Sequence, residues 1–127
     1  MRHLVFRLNL LGLAVILALA GSNTRAAPDL RVINFAGSRL FYQPDAVIIT
    51  VGSAVRWAGD FVEHPLASAD GLWPIVASGG EFMFTFVAPG TYQFYCTLHG
   101  VPGRFMAGEV IVRELPTPRV YLPLARR

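Results

Sequence analysis

Beyond residue 26, the 127-residue chain holds one cysteine, Cys96, and two histidines, His64 and His99. Chemistry that needs soft ligands must draw on those three, with Met83 and Met106 as the available thioethers. Cys96 and His99 stand three residues apart, and Met106 follows just before Ala107 and Gly108. Two imidazoles and a thiolate in a trigonal plane, with a long weak thioether contact, make a type 1 (blue) copper site. The residue types suit that metal. Thiolate and thioether favour copper(I), imidazole serves both oxidation states, and a compromise geometry leaves little to move when an electron arrives. Zinc asks for four firm tetrahedral ligands, and methionine is a poor one. A lone cysteine also excludes an internal disulfide, so a packed core must hold the fold, with metal as a supplement.

Such a site exists only if the surrounding elements bring the donors to one place. Short apolar blocks separated by Gly and Pro cover residues 30–35, 39–43, 46–51, 54–57, 81–87, 91–96 and 109–114. Phe82, Phe84 and Phe86 share one face against Met83 and Thr85, and Tyr92, Phe94 and Cys96 share another. Period-two alternation with turn residues at these intervals predicts an all-β, antiparallel sandwich of a single domain. No stretch past residue 26 has helical periodicity long enough to compete. Residues 60–80 and 97–108 are expected as long loops, where function concentrates on a compact β scaffold. Two adjacent antiparallel strands would carry Cys96, His99 and Met106 to one end of the sandwich. His64 need only arrive there on a loop.

The two ends of the chain read differently. Residues 8–20 are apolar apart from Asn9 and Gly12, with Arg2, His3 and Arg7 before them and Gly21, Ser22, Thr24 and Ala26 after. A positive start, a 13-residue apolar run and a small-residue exit describe a secretory signal peptide over residues 1–26, with cleavage expected after Ala26. The run is short for a bilayer span, but a leader left uncleaved would anchor the chain to a membrane. The domain is expected over 27–115. A Pro- and Arg-containing tail follows over 116–127, where Pro116, Pro118 and Pro123 prevent regular pairing. The formal charge of +3 comes from 11 Arg and 8 acids, yet residues 27–115 carry 5 Arg against those 8 acids, a formal −3. No basic stripe marks the domain, so nucleic acid is not an expected partner.

Each residue also has a plainer reading. Cys96 alone would be a small buried residue on an alternating strand. His64 alone would be a surface residue of a loop, and Met106 alone a plug at the base of the last strand. It is the complete set, at this spacing, that favours a metal. Met83 reads as packing, and Trp57, Phe82, Phe84, Phe86, Tyr92 and Phe94 read as sandwich core. Glu63 and Asp70 read as solvated loop charges, since no nucleophile accompanies them. Around His99, the residues Leu66, Val101, Pro102 and Phe105 offer an apolar patch at the expected surface.

Residues 43–112 resemble the plastocyanin and pseudoazurin branch of the cupredoxins. The likeness rests on VGSAVRW (51–57), the His64 region leading to SADGLW (68–73), GGEFMFTFVAPGTYQFYCTLHG (79–100) and MAGEVIV (106–112). The F-Y-C-x-x-H ending followed by M-x-G is specific, where a lone C-x-x-H would be weak. The resemblance implies a Greek-key β-sandwich and one type 1 copper per chain, held by His64, Cys96, His99 and Met106. It implies one-electron transfer outside the cytoplasm, with redox proteins docking at the apolar patch where the His99 edge reaches the surface. Two features depart from the pattern. Six residues separate His99 from Met106, a longer gap than the commonest plastocyanin arrangement. Pro65 also stands where plastocyanins often place an Asn that braces the Cys loop. Proline has neither that side chain nor an N–H, so the surroundings of Cys96 must be built differently.

The expected function is an exported, monomeric, mononuclear blue-copper electron carrier, periplasmic or extracellular at the cell surface, and not an enzyme. A nitrite reductase or multicopper oxidase would need further copper sites that two histidines cannot supply. The alternative is a copper-binding or copper-delivery protein with the same fold and no electron shuttling. A metal-free adhesion-type sandwich is opposed by the complete ligand set.

Overall fold

The computed structural model describes residues 27–117 and Arg119; the expected leader and most of the expected tail lie outside the described residues. Seven strands form: β1 Leu30–Asn34, β2 Ala46–Thr50, β3 Ala54–Ala58, β4 Leu66–Ser68, β5 Glu81–Thr85, β6 Gly90–Val101 and β7 Arg104–Arg113. Six of them fall on predicted blocks; the short β4 corrects the expectation that residues 60–80 are loop throughout, because pairing with β6 makes a strand of three residues, too few to show a period. They make two sheets, one ordered β1-β3-β5 and the other β2-β7-β6-β4. The inward residues of both fill the space between, including Ile33, Val55 and Trp57 from the first sheet and Val47, Ile49, Phe94 and Val110 from the second. All regular structure among the described residues is strand, as the alternation required.

The expectation of a purely antiparallel sandwich is corrected. β1 runs parallel to β3, and β2 runs parallel to β7. Residues 35–45 carry the chain from one sheet to the other, and the tight turn at Val51–Ser53 returns it at once. β3 therefore enters beside β1 in the same direction. Alternation reports which face a residue takes and is silent about the direction of its neighbour. The remaining pairs, β3·β5, β4·β6 and β6·β7, are antiparallel.

Three local expectations change as well. Residues 39–43 do not form a strand; only Gln43 pairs, bridging Asn34 through N–H···O bonds of 2.8 and 2.9 Å. Pro44 follows and has no N–H with which to continue a ladder. Residues 97–108 are not a long loop, because β6 and β7 extend into one hairpin that turns at Pro102 and Gly103, the glycine at φ 74°. Met83 does not pack inside: it is exposed on the outer face of β5, with Phe82 and Phe84 turned toward the core.

Gly108 marks the closest approach between β7 and its surroundings. It pairs with Phe94 across the ladder, and a Cβ there would overlap both the Asp45 carbonyl oxygen and the Phe94 ring. The same carbonyl accepts the Glu109 N–H at 2.8 Å, so it cannot move away freely. Gly108→Ala is expected to destabilise the fold by about 1–3 kcal/mol through overpacking. A lowered denaturant midpoint with an unchanged slope would register the loss.

Candidate metal centre

β6 sets the first donor. Phe94 and Cys96 face inward by alternation, and Cys96 is fully buried opposite Leu66 of β4. His99 lies three positions further on, so an unbroken strand would turn it to the opposite face. The ladder to β7 slips between Tyr95 and Gly100, and that irregularity reverses the phase. His99 Nδ1 consequently comes within 3.5 Å of Cys96 Sγ.

His64 arrives from the other side. Residues 60–64 make a compact turn closed by the His64 N–H to the Asp60 carbonyl at 3.0 Å. The Asp60 carboxylate accepts the Val62 N–H at 2.8 Å and the Glu63 N–H at 3.4 Å, which caps the turn as an N-cap residue caps a helix. β4 begins two residues later and pairs with β6, so the turn is fixed against the strand that carries Cys96. His64 is buried, with Nδ1 at 3.1 Å from His99 Nδ1 and 3.9 Å from Cys96 Sγ. Its Nε2–H donates to the Gly37 carbonyl at 3.0 Å. A carbonyl can only accept, so the proton sits on Nε2 and the lone pair of Nδ1 faces the other donors.

Two imidazole nitrogens and a sulfur thus converge, all within 4.8 Å of one another. Separations of 3.1, 3.5 and 3.9 Å are short enough for all three atoms to hold one shared ion. Two imidazole nitrogens and a thiolate this close together suit copper, whereas structural zinc asks for four firm ligands. The donor set fits the metal. Met106 is fully buried at the same end, and its backbone packs so closely on Gly100 that a Cβ there would overlap its carbonyl. Its register position, between the Phe105 and Ala107 pairings, faces the slipped segment that holds Cys96 and His99.

The departure at Pro65 is resolved by the backbone. Its carbonyl accepts the Thr97 N–H at 2.9 Å, which ties the residue after Cys96 to the residue after His64 without an amide side chain. The expected apolar patch is corrected at one position: Leu66 is fully buried as the partner of Cys96. Val101, Pro102 and Phe105 are exposed as expected, and Leu98 joins them. Leu40 does too, lining an open cavity of about 420 Å³ together with Gly37, Glu63, His64 and His99.

Gly37, Phe35 and Tyr42 could not be placed at the site from residue pattern, because all three sit in or beside the irregular segment that leaves β1. Phe35 stands edge-on to His64 with ring centroids 6.1 Å apart. Tyr42 is buried, its ring meets Phe94 at 4.9 Å, and its hydroxyl has no partner. The only available signal was a tyrosine at an apolar position.

A profile of copper-binding proteins of the plastocyanin/azurin family matches residues 64–113, the span containing His64, Cys96, His99 and Met106. Amicyanin-alpha of Methylorubrum extorquens is 31% identical over 126 residues, covering 88% of this chain and 99% of the relative. The chain is a cupredoxin. Among solved structures, the cupredoxin amicyanin from Paracoccus versutus superposes with a TM-score of 0.51 at 26% identity, covering 67% of this chain and 82% of that one. Pseudoazurin from Hyphomicrobium denitrificans gives 0.52 at 21% identity, covering 66% and 75%, and shares the fold. The β-sandwich is therefore the cupredoxin sandwich, and copper is the metal of this family.

Tyr42 adds a pH dependence to this cupredoxin. Burial, and then the nearby negative charge of Cys96, push its hydroxyl well above the ordinary value of 10.0. The unfolded chain loses that proton near the ordinary value while the folded chain keeps it. The contribution to stability is complete below that pH and is lost as pH rises above it. Tyr42→Phe is expected to remove this part of the alkaline destabilisation. At neutral pH it should leave stability unchanged or raise it by about 1 kcal/mol, since the removed hydroxyl has no partner. Denaturant midpoints of both proteins at neutral and alkaline pH check the pair of outcomes.

Proposed function

We propose that the chain is an exported, monomeric electron carrier, with copper held by His64 Nδ1, Cys96 Sγ and His99 Nδ1 and contacted weakly by the Met106 thioether. The convergence of those first three atoms, with the His64 lone pair freed by the Gly37 carbonyl, carries the reading. Bound copper supplies a one-electron couple. The protein's part is to keep the donors from moving between the two oxidation states. Buried Cys96 and His64 exclude water, while the β4·β6 pairing and the capped turn at Asp60 hold both in register. A rigid surrounding shell also sets the potential.

His99 is the half-buried member of the set and opens to the cavity beside Leu40. Electrons pass most directly through its edge to a redox protein seated on Leu40, Leu98, Val101 and Phe105. Export rests on the leader pattern in residues 1–26, ahead of a domain over 27–115 and the tail over 116–127. The reading is of a carrier and not an enzyme, and the near-complete burial of Cys96 and His64 favours a metal that is retained over one handed on.

Copper(II) is expected to give an intense blue or green absorption from thiolate-to-metal charge transfer, and Cys96→Ser should abolish it. Bound copper without colour would overturn the type 1 reading. Met106→Leu should keep the metal and raise the reduction potential, because a weak thioether mostly sets the preference between oxidation states. Met83→Leu, on the exposed face of β5, is the control. Equal potentials in the two variants would make Met106 a core residue only.

A further inference from the structure

The aromatic rings of the core form a column. At the donor end, Phe35 lies beside His64 and meets Tyr42 at 5.4 Å. Tyr42 meets Phe94 at 4.9 Å, and Phe94 meets Trp57 at 5.3 Å. Trp57 in turn meets Trp73 at 5.3 Å. Trp73 reaches Phe86 at 6.5 Å, and Phe86 packs on Tyr92 at 5.1 Å. Tyr92 sits near the start of β6, and the other end of that strand carries Cys96 and His99. The column therefore runs the length of the sandwich.

Packing explains rings in contact. It does not explain the buried donors within them. Among the described residues, Tyr42 Oη, Trp57 Nε1 and Trp73 Nε1 are buried without a hydrogen-bond partner. Each carries a desolvation cost that phenylalanine at the same position would avoid. Those missing acceptors have a chemical consequence. An indole that loses one electron becomes a strong acid, and a base within reach would take its N–H proton and trap the radical. Trp57 and Trp73 have no such base, so an oxidised ring there keeps its proton and is restored by an electron alone. Tyr42 cannot shed its proton either, so it bridges the column without becoming a resting place for the radical.

We propose that this column is a hole relay that protects the fold from one-electron oxidants, an inference that rests on the copper reading above. An oxidant such as a peroxyl radical or a ruthenium(III) complex takes one electron from Trp73. Trp57 refills Trp73, and the electron that restores Trp57 comes from the reduced metal end through Phe94 and Tyr42. One electron leaves the copper(I) site, one reaches the oxidant, no bond breaks and no proton moves. Tunnelling falls exponentially with distance, so two short hops through indoles outrun one long transfer.

The test attaches a ruthenium bipyridyl complex through Met83→His in the full chain. Position 83 is exposed and flanks Phe82, whose ring lies 5.5 Å from Trp73 and 5.9 Å from Trp57. A flash then generates ruthenium(III) in place. In the copper(I)-loaded protein, a tryptophan-radical absorption should appear and decay in step with growth of the blue copper(II) band. In the metal-free chain the same radical should persist far longer. Adding Trp57→Phe should slow growth of the blue band by an order of magnitude or more while the static spectrum of the copper(II) protein stays the same. A blue band that grows equally fast in Trp57→Phe, or a radical that decays equally fast without copper, overturns the relay. Should Trp57→Phe fail to fold, the comparison of copper(I)-loaded and metal-free protein decides alone. Absence of any static blue band would sink the copper reading and the relay together, whereas a normal band with unaffected kinetics sinks the relay only.

Discussion

Two side chains three residues apart on a strand face opposite ways, and the donor site depends on breaking that rule once. The ladder between β6 and β7 is regular up to Tyr95 and regular again from Gly100. Between those points the phase reverses, and His99 Nδ1 turns back to within 3.5 Å of Cys96 Sγ. Without the slip, Cys96 would remain an inert core thiol and His99 a surface imidazole. Gly100 makes the slip sterically feasible, since any larger residue would strike the Met106 backbone. The residue that allows the irregular strand is also the one that lets Met106 close in beneath it.

Once β6 is set, the rest of the donor end follows from pairing to it. Leu66 takes the position opposite Cys96, and the two residues before Leu66 are carried along. Pro65 turns its carbonyl to the Thr97 N–H, and His64 is left with its ring against the slipped segment. Its other nitrogen is fixed by the Gly37 carbonyl, so both nitrogens have their roles assigned before any metal binds. Such preorganisation is what a donor set needs when its geometry must suit two oxidation states equally.

The parts legible in the sequence were those encoded by alternation and by residue chemistry. Phe82, Phe84 and Phe86 face inward together because period two encodes a shared face directly, although it did not say that Met83 on the other face would lie exposed instead of packed. Cys96, His64 and His99 converge because few other soft donors exist for a site to use. Strand direction was not legible, since β1 and β3 look the same in sequence whether they run parallel or antiparallel. Residues 97–108 read as a loop because Gly100, Pro102 and Gly103 punctuate them, yet only the last two form a turn. Leu66 read as surface because residues 60–80 read as a long loop; its burial comes from a three-residue strand too short to show a period. The carbonyl of Gly37 was beyond reach in principle, as any residue could have supplied it.

The hairpin tip shows where the molecule tolerates strain. Phe105 adopts φ 63°, an outlier for a bulky side chain, and remains 76% exposed. Such a conformation persists only where the surrounding structure overdetermines it. Here Gly100 pairs with Phe105 and Val101 with Arg104, while Gly103 takes the positive φ that the turn itself requires. Beyond Phe105, β7 is gripped by β6 on one side and β2 on the other, so the tip cannot unwind without pulling on Met106. The Arg104 guanidinium lies 5.2 Å from the Phe105 ring centroid and covers part of that exposed ring. The positive φ leaves the ring exposed in a depression it lines with Gln93 and Glu109, by the same strand pairing that buries Met106 one residue later.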